Sequence, residues 1–331
     1  MIKVSLYITD MLSKARRALA SRYLFDNWLS LLIKYALIRL DFNVKLMAKV
    51  NGCAFELSPE VFGCLVNRAS RGLIKLIRCG DHDVFVVYMN EIQVPIEEFE
   101  KSDAYAIDLA IKNGWVYDLT NRLWFNGNVR FKHMRGTIFQ VFNDGDYEQL
   151  NVKGRVVIDV GAYIGDSAIY FALKGARKVI AIEPHPGAYA EMLDNIKLNN
   201  MENVIIPINA GLASKLGKVC VENVNVNIAN IIYHRPGDCL NAVPAVTLSE
   251  LTSGFNVDPN DAVLKMDCEG CEFDVVLNDY DHVKLFRELV LEYHPRLVNK
   301  SLNDLLIMLS RDYKCKAKGN EDLGIMHCIK K

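Results

Sequence analysis

Four absences narrow what this 331-residue chain can be: no long uncharged apolar run, no secretory cleavage site, no second C-x-x-C pair and no strong net charge. The nearest approach to an apolar run, Trp28–Leu40, is broken by Lys34 and Arg39 and is too short and too charged for a comfortable membrane span. No small-residue cleavage site follows it, so it does not read as a signal peptide. A single C-x-x-C, Cys268-Glu-Gly-Cys271, lacks the partner pair that a zinc ribbon needs. Nine cysteines, an odd number without a secretory signal, lead to the expectation of a cytoplasmic protein with mostly free thiols. Cys268 and Cys271 are then expected to be small, buried and inert, with a redox pair as the alternative. A formal net charge of −1 gives no global pull toward nucleic acid. Repeats, low-complexity tracts and long linkers are also missing. What remains is a composition of 51% hydrophobic and 24% charged residues, that of a globular chain with a real core, at a length that suits two domains.

The one local charge imbalance lies at the N-terminus. Residues 1–40 hold Lys3, Lys14, Arg16, Arg17, Arg22, Lys34 and Arg39 against Asp10 and Asp26, an excess of five positive charges. Two readings of this arm stay open: a core or homo-oligomer interface helix, or a basic amphipathic helix peripheral to a membrane surface. Beyond it the pattern shortens into strands. Asn51-Gly52 joins Lys45–Val50 to Cys53–Leu57, and Asn126-Gly127 joins Arg122–Phe125 to Asn128–Lys132, both strong two-residue hairpin signals. Val84–Met89 and Glu91–Ile96 also read as extended, and Ser102–Asn113 as helical. Residues 1–145 are thus expected to form a helical arm and a smaller α+β domain for substrate binding or oligomerisation.

From residue 146 to 331 the rhythm becomes strand–helix–strand, as a parallel α/β sheet requires. Strands are predicted at 155–160, 178–183, 203–208, 262–267 and 288–293, with helices at 166–174, 187–199, 271–278 and 301–310. Tyr313–Lys318 and Gly324–Ile329 would close the sheet as a hairpin. The first strand runs into Asp159-Val-Gly-Ala-Tyr-Ile-Gly165, a glycine loop that brings backbone N–H groups to a ligand at a helix start. The second ends in Glu183, close to the spacing at which a carboxylate reaches nucleoside hydroxyls. The loop is D-x-G-x-x-x-G, not the G-x-G-x-x-G of dinucleotide folds. A carboxylate at that strand end repels a pyrophosphate but accepts hydrogen bonds from an ammonium group, which favours S-adenosylmethionine over NAD.

Five segments in order resemble the FkbM family of class I methyltransferases: Val157-Ile-Asp-Val-Gly-Ala-Tyr-Ile-Gly-Asp-Ser167, Ile182-Glu-Pro-His-Pro186, Asn195-Ile-Lys-Leu-Asn199, Leu264-Lys-Met-Asp-Cys-Glu-Gly-Cys-Glu-Phe273 and Leu291-Glu-Tyr-His294. The resemblance covers roughly residues 147–331 and rests most on the Lys-x-Asp-x-Glu-Gly-x-Glu run. It implies a seven-stranded, mostly parallel Rossmann-like sheet and methylation of hydroxyl oxygens on sugars, glycans, lipids or related small molecules. Carried over by position, Asp159, Gly161 and Ala162 surround the methionine end of S-adenosylmethionine, and Gly165 lets the helix start close to it. Glu183 takes the ribose hydroxyls, and Asn209 and Ala210 edge the adenine.

In open α/β sheets ligands bind beyond the carboxyl ends of the strands, which gathers Lys265, Asp267, Glu269, Glu292 and His294 into one crevice. Methyl transfer is an in-line displacement that needs alignment and a deprotonated acceptor. His294, Asp267 and Glu269 are therefore the candidate catalytic residues, with Asp267 also facing the cofactor. Asp267 and Glu269 could equally hold magnesium, although no metal ligand is assigned. Two rival functions stay in view. One is a non-catalytic assembly module that keeps the cofactor fold. The other is an RNA methyltransferase, which rests only on the basic N-terminus, because neither an Asn/Asp-Pro-Pro-aromatic run nor a Pro-Cys occurs where base methylation would need it.

Overall fold

Asp159 and Lys265 each lie in a strand in which every residue is buried, and the register sets them side by side. Strands this apolar, covered on both faces, belong to the centre of a parallel sheet. The computed structural model describes residues 16–221 and 234–331 and divides into two units, Met1–Arg135 and Gly136–Lys331.

The first unit is built from short antiparallel pieces. Helix α1 (Trp28–Ile38) is followed by the hairpin β1 (Leu46–Val50) and β2 (Cys53–Leu57), then α2 (Pro59–Ser70). A three-stranded sheet follows, β3 (Ile74–Cys79), β4 (Val84–Tyr88) and β5 (Gln93–Pro95). After α3 (Glu98–Lys101) and α4 (Ala104–Lys112) comes a second, β6 (Val116–Asp118), β7 (Leu123–Asn126) and β8 (Val129–Phe131). Both Asn-Gly turns fall between paired strands, with Asn51, Gly52 and Gly127 at positive φ. Buried Glu98 organises this unit: it accepts from the Trp124 Nε1–H at 3.0 Å and from the Ser102 hydroxyl, and lies 3.1 Å from His133 Nδ1. On α1, Leu31 is buried while Leu29, Ile33 and the following Leu40 are exposed. Lys3, Asp10 and Lys14 of the basic arm lie outside the described residues.

The second unit opens with α5 (Gly136–Phe142) and contains the seven-stranded sheet. Its members are β9 (Val156–Val160), β10 (Lys178–Ile182), β11 (Ile205–Ile208), β16 (Ala262–Met266), β17 (Glu288–Tyr293), β18 (Tyr313–Gly319) and β19 (Gly324–Lys330). The spatial order is β11-β10-β9-β16-β17-β19-β18. All pairings are parallel up to β17, and β19 runs antiparallel to both its neighbours. Helices α6 (Asp166–Leu173), α7 (Pro186–Leu198), α8 (Leu248–Gly254), α9 (Cys271–Asn278), α10 (Tyr280–Val283) and α11 (Leu302–Leu309) complete the α/β pattern. The last begins as its sequence suggests, with the Ser301 N–H donating to Asp304 Oδ2 at 2.8 Å. Between β11 and β16 lies a small sheet that the sequence did not signal, β12 (Gly211–Leu212), β13 (Gly217–Val221), β14 (His234–Pro236) and β15 (Ala242–Val246). At β9 the strand order reverses: the chain passes out to β10 and β11, then crosses back to β16. Ligands of open sheets bind at such a switch point.

The expectation of mostly free thiols is overturned. Eight of the nine cysteines pair, as Cys53–Cys79, Cys220–Cys239, Cys268–Cys271 and Cys315–Cys328, and Cys64 alone is free. Folding decides this, since Cys315 and Cys328 are direct cross-strand partners with Cα atoms 4.1 Å apart although thirteen positions separate them in sequence. A cytoplasmic location argued from free thiols loses its premise. Among the described residues no helix is long and apolar enough to cross a membrane.

Candidate active site

The glycine loop after β9 is shaped from two sides. Gly161 has φ +72, and a Cβ there would stand 1.6 Å from the Asp267 carbonyl oxygen, so only glycine lets the two loops meet. Gly165, at φ +85, brings α6 down on Met192 in the same way. The N–H groups of Gly161 and Ala162 both donate to the Ile182 carbonyl, at 2.9 and 3.0 Å. They tie the loop to β10, where the sequence reading had them lining the ligand.

Asp159 also differs from its expected role. It is fully buried, its Oδ2 accepts from the Ser167 hydroxyl at 2.7 Å, and its Oδ1 lies 3.0 Å from Lys265 Nζ. Lys265 donates onward to the carbonyls of Gly161 at 2.7 Å and Val160 at 3.2 Å. Burial works to lower the Lys265 pKa, but Asp159, Asp267 and Asp166 outweigh it and hold the ammonium above its ordinary value. The lysine of the Lys-x-Asp-x-Glu-Gly-x-Glu run is therefore a brace that pins the glycine loop and pairs with Asp159, the residue expected at the methionine end of the cofactor.

Glu183 stands just past β10. Its two oxygens accept the Tyr163 N–H and the His185 N–H, both at 2.8 Å, and each keeps a second lone pair for a hydroxyl. Burial, partly countered by those two hydrogen bonds, pushes its pKa to about 7. Asn209, expected beside adenine, donates to the carbonyls of Glu183 at 2.9 Å and Pro184 at 3.2 Å, so it fixes the end of β10; Ala210 is buried.

Beyond β16 and β17 the remaining candidates converge. His294 Nδ1 lies 3.5 Å from Glu269 Oε2 and its Nε2 lies 3.7 Å from Glu292 Oε1, contacts too long for strong hydrogen bonds. Burial lowers the His294 pKa against the pull of Asp267, which favours a neutral imidazole. Burial and then the charge of Asp267 raise Glu269 to about 8 and Glu292 to about 10, and Glu292 also hydrogen-bonds Asp267. Two further residues complete the crevice: Tyr147, which has no sequence signal of its own, and Glu272, the last residue of the Lys-x-Asp-x-Glu-Gly-x-Glu run. Tyr147 donates its hydroxyl to Asp267 Oδ2 at 3.3 Å, and its ring lies 5.6 Å from Lys265 Nζ. Glu272 accepts the N–H groups of Cys268 at 2.6 Å and Gly270 at 2.8 Å, which curls the loop between β16 and α9. Asp267, Glu272 and His294 each offer one donor atom within 4.8 Å of the others, so these three are the residues that could hold a metal ion.

Seven carboxyl groups, Asp159, Asp166, Glu183, Asp267, Glu269, Glu272 and Glu292, thus surround the switch point, with one buried lysine among them. These groups offer acceptors for an ammonium such as that of S-adenosylmethionine, whereas a pyrophosphate would find only the already paired Lys265 as a buried cation among them.

Comparison with known proteins agrees with this geometry. Residues 159–315 match the model of the methyltransferase FkbM domain. The hexuronic acid methyltransferase AglP of Haloferax volcanii is 26% identical over 151 residues, 46% of this chain and 61% of that protein. The ribosomal protein L11 methyltransferase of Carboxydothermus hydrogenoformans is 39% identical over 79 residues, 24% of this chain and 25% of its own length. The chain therefore spans less than two thirds of either relative. A solved structure of a methyltransferase FkbM from Methylobacillus flagellatus superposes with a TM-score of 0.40 at 16% identity, over 55% of this chain and 45% of that one. Residues 159–315 are thus similar to the methyltransferase FkbM domain, the family that the sequence motifs resemble.

Proposed function

We propose that this protein transfers the methyl group of S-adenosylmethionine to a hydroxyl oxygen of a sugar or glycan. The observation that carries the reading is the placing of His294 between Glu269 and Glu292, 3.5 and 3.7 Å from its two ring nitrogens, at the switch point of the sheet. Bound there, S-adenosylmethionine would supply an electrophilic methyl group. Glu183 would hold the ribose through its free lone pairs, and the Lys265–Asp159 brace would keep the glycine loop in place beneath it. His294, neutral near pH 7, would accept the proton of the acceptor hydroxyl, and Glu269 and Glu292, which flank its two ring nitrogens, would accept hydrogen bonds from the imidazolium that results. The Haloferax relative is named for a hexuronic acid, which supports a sugar-type acceptor. A sugar carboxylate is disfavoured as the acceptor because the buried cation of the crevice, Lys265, is already held by Asp159 and two backbone carbonyls, whereas a neutral hydroxyl needs no counter-charge.

The same proposal places the acceptor near an anionic membrane surface, as a lipid-carried glycan would be. Leu19, Tyr23, Leu29, Ile33, Leu40 and Phe42 are exposed within one short stretch that also carries exposed Arg16, Arg22 and Arg39.

The test is transfer of label from methyl-labelled S-adenosylmethionine to a panel of saccharides, with linkage determined by mass spectrometry. A methyl ether on the sugar supports the proposal. Label confined to amines or carboxylates, or no transfer to any member, refutes it.

A further inference from the structure

Cys268 and Cys271 are joined within the loop that carries Asp267 and Glu269, the two candidate catalytic residues nearest His294. This pair differs from the other three. Cys53–Cys79, Cys220–Cys239 and Cys315–Cys328 span 26, 19 and 13 positions, and by chain entropy such bonds constrain the unfolded state appreciably. Cys268–Cys271 spans three and constrains it least, so what it fixes is local. Inside the small ring that it closes, Glu269 is held at φ +55 and Gly270 at φ +118. A left-handed conformation is unfavourable for glutamate and persists only where the surroundings impose it. The disulfide is one such constraint and the clamp of Glu272 on the N–H groups of Cys268 and Gly270 is the other.

We propose that Cys268–Cys271 is a reversible thiol–disulfide exchange site that sets the position of the Glu269 carboxyl group, with a small dithiol as its reductant. Cys268 is buried, whereas Cys271, at the first position of α9, is partly exposed, so a thiolate of the reductant attacks the Cys271 sulfur. The S–S bond breaks, a mixed disulfide forms on Cys271, and Cys268 leaves as a thiolate that takes up a proton. The second thiol of the reductant then displaces Cys271, which is protonated in turn. Two electrons and two protons pass to the protein, and the reductant departs as its own disulfide. With the ring open, Glu269 can relax to negative φ and its carboxyl group leaves the 3.5 Å contact with His294 Nδ1. The consequence for methyl transfer rests on the function proposed above, but the exchange chemistry does not.

The full-length oxidised protein is incubated under native conditions with graded dithiothreitol, and free thiols are trapped with iodoacetamide and mapped by peptide mass spectrometry. Without reductant only Cys64 is labelled. At the lowest effective reductant concentration Cys268 and Cys271 are labelled ahead of the other six cysteines, and reoxidation restores the bond. In parallel, amide exchange of residues 266–273 accelerates at least about tenfold on reduction, as expected when one of two local constraints is released. Earlier opening of any other pair, or opening without a change in exchange, overturns the proposal. Cys268→Ser/Cys271→Ser should match the reduced wild type and ignore dithiothreitol; should it fail to fold, the wild-type titration decides alone. Because neither readout uses the cofactor, absence of methyl transfer would leave this result standing, and failure here would leave the methyltransferase reading intact.

Discussion

Gly161→Ala tests the claim that the glycine loop and the loop after β16 are built against each other. The left-handed backbone at φ +72 costs an alanine roughly 1–2 kcal/mol relative to glycine. The added Cβ would stand 1.6 Å from the Asp267 carbonyl oxygen, where ordinary contact begins at 3.4 Å, so the carbonyl must retreat by the difference, about 1.8 Å. Backbone shifts forced by overpacking add about 1–3 kcal/mol, for a total of about 2–5 kcal/mol. At about 2–4 °C per kcal/mol for a unit of this size, the melting temperature should fall by about 4–20 °C. Gly154→Ala is the matched control, since it has φ +73 with nothing within 4 Å of the added Cβ, and it should lose only a few degrees. Differential scanning calorimetry of both variants separates dihedral strain from collision. If Gly161→Ala melts within about 2 °C of Gly154→Ala, the close approach is not a determinant of the site and the reasoning fails.

Two further outcomes follow from the charges. Asp166, Glu183, Glu272 and Glu269 have native pKa values of about 6, 7, 7 and 8, all raised first by burial and all above the unfolded range near 4. Groups raised in the native state contribute stability that is fully present below the unfolded pKa and is lost as pH rises through the folded value. The ligand-free protein should therefore lose melting temperature steadily from about pH 5 to pH 9, and a flat or rising profile across that window would show that the cluster is not desolvated as described. On the N-terminal arm, Leu29→Glu with Ile33→Glu should abolish co-sedimentation with phosphatidylglycerol vesicles while leaving the melting temperature unchanged, because both side chains are exposed; undiminished sedimentation would remove the membrane from the proposal.

How much of this was legible in the sequence depends on how local each signal is. The D-x-G-x-x-x-G loop, the strand ending at Glu183 and the alternation from residue 155 onward are carried by neighbouring residues, and the seven-stranded sheet follows them closely. The closing hairpin at Tyr313–Lys318 and Gly324–Ile329 was visible for the same reason. The partner of Asp159 was not legible because it lies 106 positions away: only the pairing of β9 with β16 brings Lys265 beside it. Tyr147 carries no motif of its own and acquires its role through Asp267, whereas Glu272 closes the Lys-x-Asp-x-Glu-Gly-x-Glu run but shows its clamp on two backbone N–H groups only in the folded loop. The cysteine pairs were missed because an odd count with no secretory signal speaks to compartment, whereas pairing depends on which Cβ atoms the fold brings together. Helix α2 and strand β3 were also unforeseen, and their short apolar stretches carry no turn signal as strong as Asn-Gly.

The central claim is that the crevice binds a cationic nucleoside through Glu183. Isothermal titration of S-adenosylmethionine into the wild type and into Glu183→Gln, with NAD as the control ligand, tests it most directly. One-site binding by the wild type, weakened by about 1–3 kcal/mol in the variant through loss of a charge-assisted hydrogen bond, with no heat from NAD, is the predicted result. Equal affinity in the variant, no binding of S-adenosylmethionine by the wild type, or saturable binding of NAD would contradict it.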